Sequence, residues 1–170
     1  MRPLEFEKAI RRIHTLAELH VRLYRDVGFD SIDMAAYLKD ICDGLRGAIL
    51  SQPRVELECI SSPVRLSVDQ AVPVGLIMNE LATNAVKYAF PGGGPGKVVV
   101  RLEVDQDHTV LSVTDNGIGL EAGGKASSGI GLTMAKGLAG QIGGMLAVNC
   151  DGGTSFILKF KADRQLESLR

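Results

Sequence analysis

The chain has 170 residues, and 19 Lys+Arg against 20 Asp+Glu leave a formal net charge of −1. Hydrophobic residues at 45% and charged residues at 23% are ordinary for a soluble globular protein, and they exclude a disordered chain, a collagen and a strongly basic nucleic-acid binder. No apolar run approaches the roughly 18–20 residues that span a bilayer, the first residues lack the apolar core of a signal peptide, and three widely spaced cysteines fit neither a disulfide framework nor a zinc site, so a reducing cytoplasm is the expected setting.

From residue 3 to about 27, Phe6, Ile10, Ile13, Ala17, His20, Tyr24 and Val27 step by 4 and 3, which predicts a helix with one apolar stripe, and Gly28 is its expected stop. A second helix is expected after Ser31 or Asp33, either a suitable N-cap, with Met34, Leu38, Ile41, Leu45 and Ala48 in the same rhythm. Two such stripes in succession fit either two core helices or a helical hairpin that pairs in a bundle. Val55 to Ile60 alternates as a strand, Pro63 breaks it, and Val64 to Val68 gives a short second strand. Asp69 is the expected cap of a helix over about 70–89 that carries Leu76, Ile77, Leu81, Ala85 and Tyr88. After the turn Pro91-Gly92-Gly93-Gly94-Pro95-Gly96, strands over 97–104 and 109–114 form a hairpin. A polar, glycine-rich loop over 115–128 leads to a helix over 129–142 with Ile130, Met134, Leu138 and Ile142 inward. A last hairpin follows, 145–149 and 154–161, around Asp151-Gly152-Gly153. The tail from Ala162 is charged and expected to fray. This order predicts an α+β two-layer sandwich, an antiparallel-leaning sheet with helices on one face, preceded by an N-terminal helical segment.

Glycine is abundant, 20 residues, and clusters after Gly92, where backbone must turn sharply or approach a ligand closely. Familiar phosphate signatures fail. Around Gly96-Lys97, Pro91 and Val98 stand where a phosphate loop needs Gly and Ser or Thr, and Gly123-Gly124 follow the G-x-G at Gly117 where a dinucleotide fold needs a helix. Two constellations remain, about 30 residues apart. Glu80, Asn84 and Lys87 are spaced 4 and 3 on one helical face. An amide oxygen suits Mg²⁺ and a lysine suits phosphate, although a solvated helix face has the same look. Asp115-Asn116-Gly117-Ile118-Gly119 follows an apolar strand, so a carboxylate can accept from a planar ligand's amine while glycine lets backbone approach; a calcium-loop fragment or a turn shares the pattern. Ser127-Ser128-Gly129-Ile130-Gly131-Leu132 is a glycine-rich helix entry of the kind that faces phosphates.

Taken in this order, the pieces resemble the ATP-binding catalytic domain of bacterial two-component sensor histidine kinases, within the gyrase, Hsp90 and MutL ATPase superfamily. Asn79 to Tyr88 is similar to that family's N box, Asp115 to Gly119 to its first glycine box, Gly129 to Leu132 to its second, and Gly152-Gly153-Thr154-Ser155-Phe156 to its final strand. Ser127 stands where the second box ordinarily has its first glycine. The short interval of eight residues between Leu120 and Gly129, with the wording Gly75 to Leu81, Lys87 to Pro91 and Gly140 to Gly144, resembles kinases near the HWE group; the chain has no Trp, so the group's name-giving residue is absent.

The resemblance implies the Bergerat ATP-binding fold over 31–162, a remnant of the dimerisation and phosphotransfer hairpin over 1–30, and a charged tail over 163–170. It implies that Asn84 ligates Mg²⁺ on the ATP phosphates and that Glu80 orients or deprotonates the attacking group. It places Lys87 on phosphate oxygens, Tyr88 against adenine or ribose, and Asp115 on the adenine amine with Thr154 in support. Gly117 and Gly119 would let the backbone reach the base, and Gly129 and Gly131 would let a lid close. His14 and His20 lack the acceptor context, so the phosphorylated histidine is expected on another helix, in the same or a partner kinase chain. A response regulator receiver domain is the expected acceptor beyond it. A homodimer through the N-terminal helices is expected, with neither nucleic acid nor membrane as partner. An anti-sigma-type serine kinase and a degenerate, non-enzymatic scaffold are the alternatives.

Overall fold

The computed structural model describes residues 31–48, 54–120 and 130–163. The expected first helix and the end of the tail lie outside them. The described residues belong to one unit, which begins at Ser31. It contains β1 (Ser31–Asp33), α1 (Met34–Ala48), β2 (Val55–Ser61), β3 (Arg65–Ser67), α2 (Val68–Tyr88), β4 (Gly96–Asp105), β5 (His108–Asp115), α3 (Ile130–Gln141), β6 (Met145–Asn149) and β7 (Thr154–Phe160).

Five strands form one sheet in the order β2-β4-β5-β7-β6, and β1 pairs with β3 in a separate two-stranded ribbon. All neighbours in the large sheet are antiparallel except β2 and β4, which are parallel. The sheet is thus mixed and leans antiparallel, as expected, with one parallel pair. The reason is the connection: α2, 21 residues long, lies between β2 and β4 and returns the chain to the same end of the sheet, as a parallel pair requires. The ribbon between β1 and β3 was not foreseen. Ser31 to Asp33 is too short for an alternating signal, and Arg65 secures it by donating to the Ser31 hydroxyl at 2.9 Å and its carbonyl at 2.8 Å.

Period-two burial sets one face of the sheet. Val98, Val100 and Leu102 of β4, Leu111 and Val113 of β5, and Leu158 and Phe160 of β7 are all buried. Met34, Leu38 and Ile41 of α1 and Val74, Ile77, Met78 and Leu81 of α2 complete the core. Each such side chain contributes about 1.5–3 kcal/mol on burial, and together they hold the helices on the sheet.

Helix ends differ from expectation in one place. Asp33 caps α1 as foreseen, its Oδ1 accepting from the amides of Ala35 (2.9 Å) and Ala36 (3.4 Å). The N-cap of α2 is Ser67, and Asp69 lies in the first turn, where a carboxylate favours the helix dipole. Ser67 makes no capping bond with its side chain, which donates to Asp163 at 3.2 Å instead. Beside it, buried Gln70 donates to the Lys161 carbonyl (2.8 Å) and accepts from the Asp163 amide (2.9 Å), tying the chain beyond β7 to α2.

The inward face of α3 is also corrected. Leu132, Ala135 and Ala139 are buried, while Met134 is 41% exposed. The helix packs against α2, and the close approach selects small residues. A stripe chosen by side-chain size alone therefore falls on the wrong side of α3.

Candidate active site

Asp115 is the last residue of β5, in the middle strand of the sheet, and pairs with Val98 of β4 and Thr154 of β7. It is buried. Its Oδ1 accepts from the amide of Gly117 at 3.0 Å and the amide of Thr154 at 3.3 Å. Burial raises its pKa above the usual carboxylate value, and the Gly117 and Thr154 amides and the Thr154 side chain oppose that rise. Both amides converge on one oxygen of a buried carboxyl group.

The chain around it is shaped for close approach. At Gly117 a methyl group would strike the carbonyl of Ala89, the C-cap of α2, and the Ile118 amide donates to that same carbonyl at 3.0 Å. Gly119 has φ +75°, in the left-handed region. Gly153 has φ +140°, and a side chain there would run into the Asp115 carbonyl. Asn116 extends the β4–β5 pairing past Asp115: its amide donates to the Lys97 carbonyl (3.2 Å), and its side-chain oxygen accepts from the Lys97 amide (2.7 Å).

The second constellation lies on α2. Glu80 is buried, and its Oε1 accepts from Asn84 Nδ2 at 3.1 Å. That bond fixes the amide and leaves the Asn84 oxygen as an acceptor. Gly131, in the first turn of α3, lies directly against the Glu80 carboxylate, and a methyl group there would overlap Oε1. Lys87 and Tyr88 occupy the last turn of α2; Lys87 is exposed and Tyr88 is 63% exposed.

The structure therefore gathers Glu80, Asn84 and Gly131 in one cluster and Asp115, Gly117, Gly119 and Thr154 in another. The C-terminal part of α2 joins them, because Ala89 touches the second cluster and lies five residues beyond Asn84, about 7.5 Å of helix rise. Gly129 lies outside the described residues. Three contributors escaped the sequence reading: the Ala89 carbonyl, the Asn116 side chain and the steric demand at Gly153. The Asp-Asn-Gly wording hints at the second. The others depend on contacts between distant segments and have no local signal.

Among the described residues no helix is long and apolar enough to cross a membrane. Among them no three His, Cys, Asp or Glu converge as a metal site.

Comparison with known proteins agrees with this architecture. Residues 69–164 match the family of histidine kinase-, DNA gyrase B- and HSP90-like ATPases. The chain belongs to that family. Residues 4–49 match a second family, described as histidine kinase, which marks the HWE group. The chain is thus the ATP-binding catalytic domain of a sensor histidine kinase, and the serine kinase alternative falls away. Among solved structures, the histidine kinase domain of the blue-light activated kinase EL346 from Erythrobacter litoralis superposes with TM-score 0.80 at 23% identity, covering 91% of this chain and 75% of that one. The longer structure of EL346 gives TM-score 0.81 at 24% identity, covering 95% of this chain and 50% of that one, so the chain spans half its length. The mycobacterial sensor histidine kinase MprB gives TM-score 0.62 at 24% identity, covering 78% and 96%. At these identities the structures speak for the fold alone. No curated protein sequence matches the chain.

Proposed function

We propose that the chain binds ATP with Mg²⁺ and transfers the γ-phosphoryl group to a histidine on a separate helix, of the same or a partner kinase chain, for relay to the aspartate of a response regulator receiver domain. The observation that carries this reading is the buried Asp115 carboxylate. One oxygen is occupied by the amides of Gly117 and Thr154, so the other is left to accept from a ligand donor such as the adenine amine. Thr154 supports Asp115 directly, and Gly117 and Gly119 admit the base.

Asn84 fits Mg²⁺. Its amide nitrogen is committed to Glu80, so a hard oxygen remains for the cation, and phosphate oxygens would fill most other positions. Bound there, the metal would neutralise phosphate charge as the phosphoryl group moves. Glu80 orients Asn84. Its other expected role, taking a proton from the attacking group, needs access to a carboxylate that is 3% exposed and covered by Gly131, so orientation is the role this geometry supports. Gly131 lets α3 approach Glu80. Lys87 is assigned to phosphate oxygens and Tyr88 to the base or ribose, from their place on the last turn of α2. Gly129 keeps its expected role at the lid. The acceptor is assigned to a helix other than those carrying His14 and His20, with pairing of two chains through the N-terminal helices and a cytoplasmic setting.

Calorimetric titration tests the reading. ATP binds with Mg²⁺, chelation of the metal weakens it, and GTP binds far more weakly, because guanine presents a carbonyl where adenine presents an amine. Equal affinity for ATP and GTP would overturn the role of Asp115.

A further inference from the structure

Cys42 and Cys59 are far apart in sequence and belong to different elements, yet the fold brings their thiols together. Cys42 is on α1 and fully buried; Cys59 is on β2, an edge strand of the sheet, and half-buried. The register between the two elements is set one turn further on. Arg46 donates from Nε (3.2 Å) and Nη2 (2.7 Å) to the carbonyl of Leu57. Leu57 and Cys59 point to the same side of the strand, two residues and about 6.6 Å apart. Cys42 and Arg46 are four residues apart, about 6 Å of helix rise. Helix and strand pack on each other, and where they run oppositely the spacing that sets Arg46 on Leu57 sets Cys42 beside Cys59.

We propose that Cys42 and Cys59 form an oxidisable dithiol, a modification site at which hydrogen peroxide or another hydroperoxide closes a reversible disulfide between α1 and β2. Exposure divides the roles: Cys59 is partly open to solvent, while Cys42 is fully buried. The neighbouring Cys42, with Arg46 and Lys39, lowers the Cys59 thiol, and burial and Asp43 oppose that lowering. Cys59, the accessible thiol, is the attacking sulfur, and Cys42 resolves.

The chemistry balances. The Cys59 thiolate attacks a peroxide oxygen; an S–O bond forms, the O–O bond breaks, and hydroxide leaves to take up the Cys59 proton from solvent as water. The Cys42 sulfur then attacks the sulfenic sulfur. The S–S bond forms, the S–O bond breaks, and a second water leaves with the Cys42 proton. Two thiols and one peroxide become one disulfide and two waters. The bond would pin α1, the last part of the histidine kinase match, to the edge of the ATP-binding sheet.

The test uses the whole 170-residue chain, which carries its own control in exposed Cys150. The reduced protein is treated with hydrogen peroxide, unfolded, alkylated and mapped by peptide mass. The expected result is a crosslinked peptide containing Cys42 and Cys59, an intact mass lower by two hydrogens, and a melting temperature several degrees above that of the reduced form, all reversed by dithiothreitol. Cys150→Ser keeps the crosslink and Cys59→Ser abolishes it. Conversion of Cys59 to sulfinic acid with Cys42 still alkylatable would overturn the proposal. So would oxidation confined to Cys150, or disulfides formed only between chains; these readings come from the unsubstituted chain and do not depend on any variant folding.

Discussion

Replacing Asp115 by Asn separates recognition from folding. The substitution keeps the shape of the side chain and an oxygen able to accept from Gly117 and Thr154, whose amides lie 3.0 and 3.3 Å from Oδ1. With that oxygen held, the new amide nitrogen takes the place of the free carboxylate oxygen. A donor then faces the adenine amine, also a donor. A hydrogen bond to a charged group contributes about 1.5–3 kcal/mol, so ATP affinity should fall on the order of 10- to 100-fold. Stability moves the other way. The Asp115 pKa is raised in the folded protein, chiefly by burial, so ionising it costs stability as pH rises from 3.8 through the folded value. Asp115→Asn removes that cost, and its melting temperature at neutral pH should equal or exceed that of the parent. The difference should vanish as the medium is acidified below 3.8, where the parent carboxyl is protonated in both states. Calorimetric titration gives the first quantity and thermal melts over pH the second. A folded Asp115→Asn protein that binds ATP as the parent does would refute the assignment, and a variant much less stable at neutral pH would refute the account of the buried charge.

Gly131→Ala and Gly137→Ala make a matched pair on α3. The first puts a methyl group onto the Glu80 carboxylate, and the second meets nothing within 4 Å. Overpacking should cost Gly131→Ala about 1–3 kcal/mol and weaken Mg²⁺-dependent ATP binding, while Gly137→Ala should be neutral or gain up to about 1 kcal/mol from helix propensity. Equal melting temperatures for the two would contradict the packing described. Asn84→Asp removes the donor to Glu80 and sets a second carboxylate beside it, so one of the two should keep a proton. Stability should then fall as pH rises through that titration, a dependence that Asn84→Ala lacks in pH-resolved melts.

Much of this fold is readable from local pattern. Alternation marks β2, β4, β5 and β7, and the 4 and 3 spacing from Met34 to Leu45 marks α1, because each element buries one face and its period survives in the chain. The face of α3 is not readable, since Ala135 and Ala139 are buried for being small and Met134 is exposed despite being large. The parallel pairing of β2 with β4 follows from a crossover that no window of the sequence contains. In the site, Asp115 is marked by the two glycines that follow it at the end of an apolar strand, and Asn84 only by its 4 and 3 spacing with Glu80 and Lys87, which a solvated helix face shares. The burial of Glu80 under Gly131 has no such mark, because it depends on two helices separated by some 40 residues of other structure.

Asn116 uses a side-chain amide to imitate a peptide group and carries the β4–β5 ladder one rung past the end of the strand. The backbone that presents Asp115 is therefore paired on both sides of that residue without any ligand. A ligand arriving at this edge would spend little entropy on ordering it, so discrimination between bases would be governed by contact chemistry and would change little with temperature.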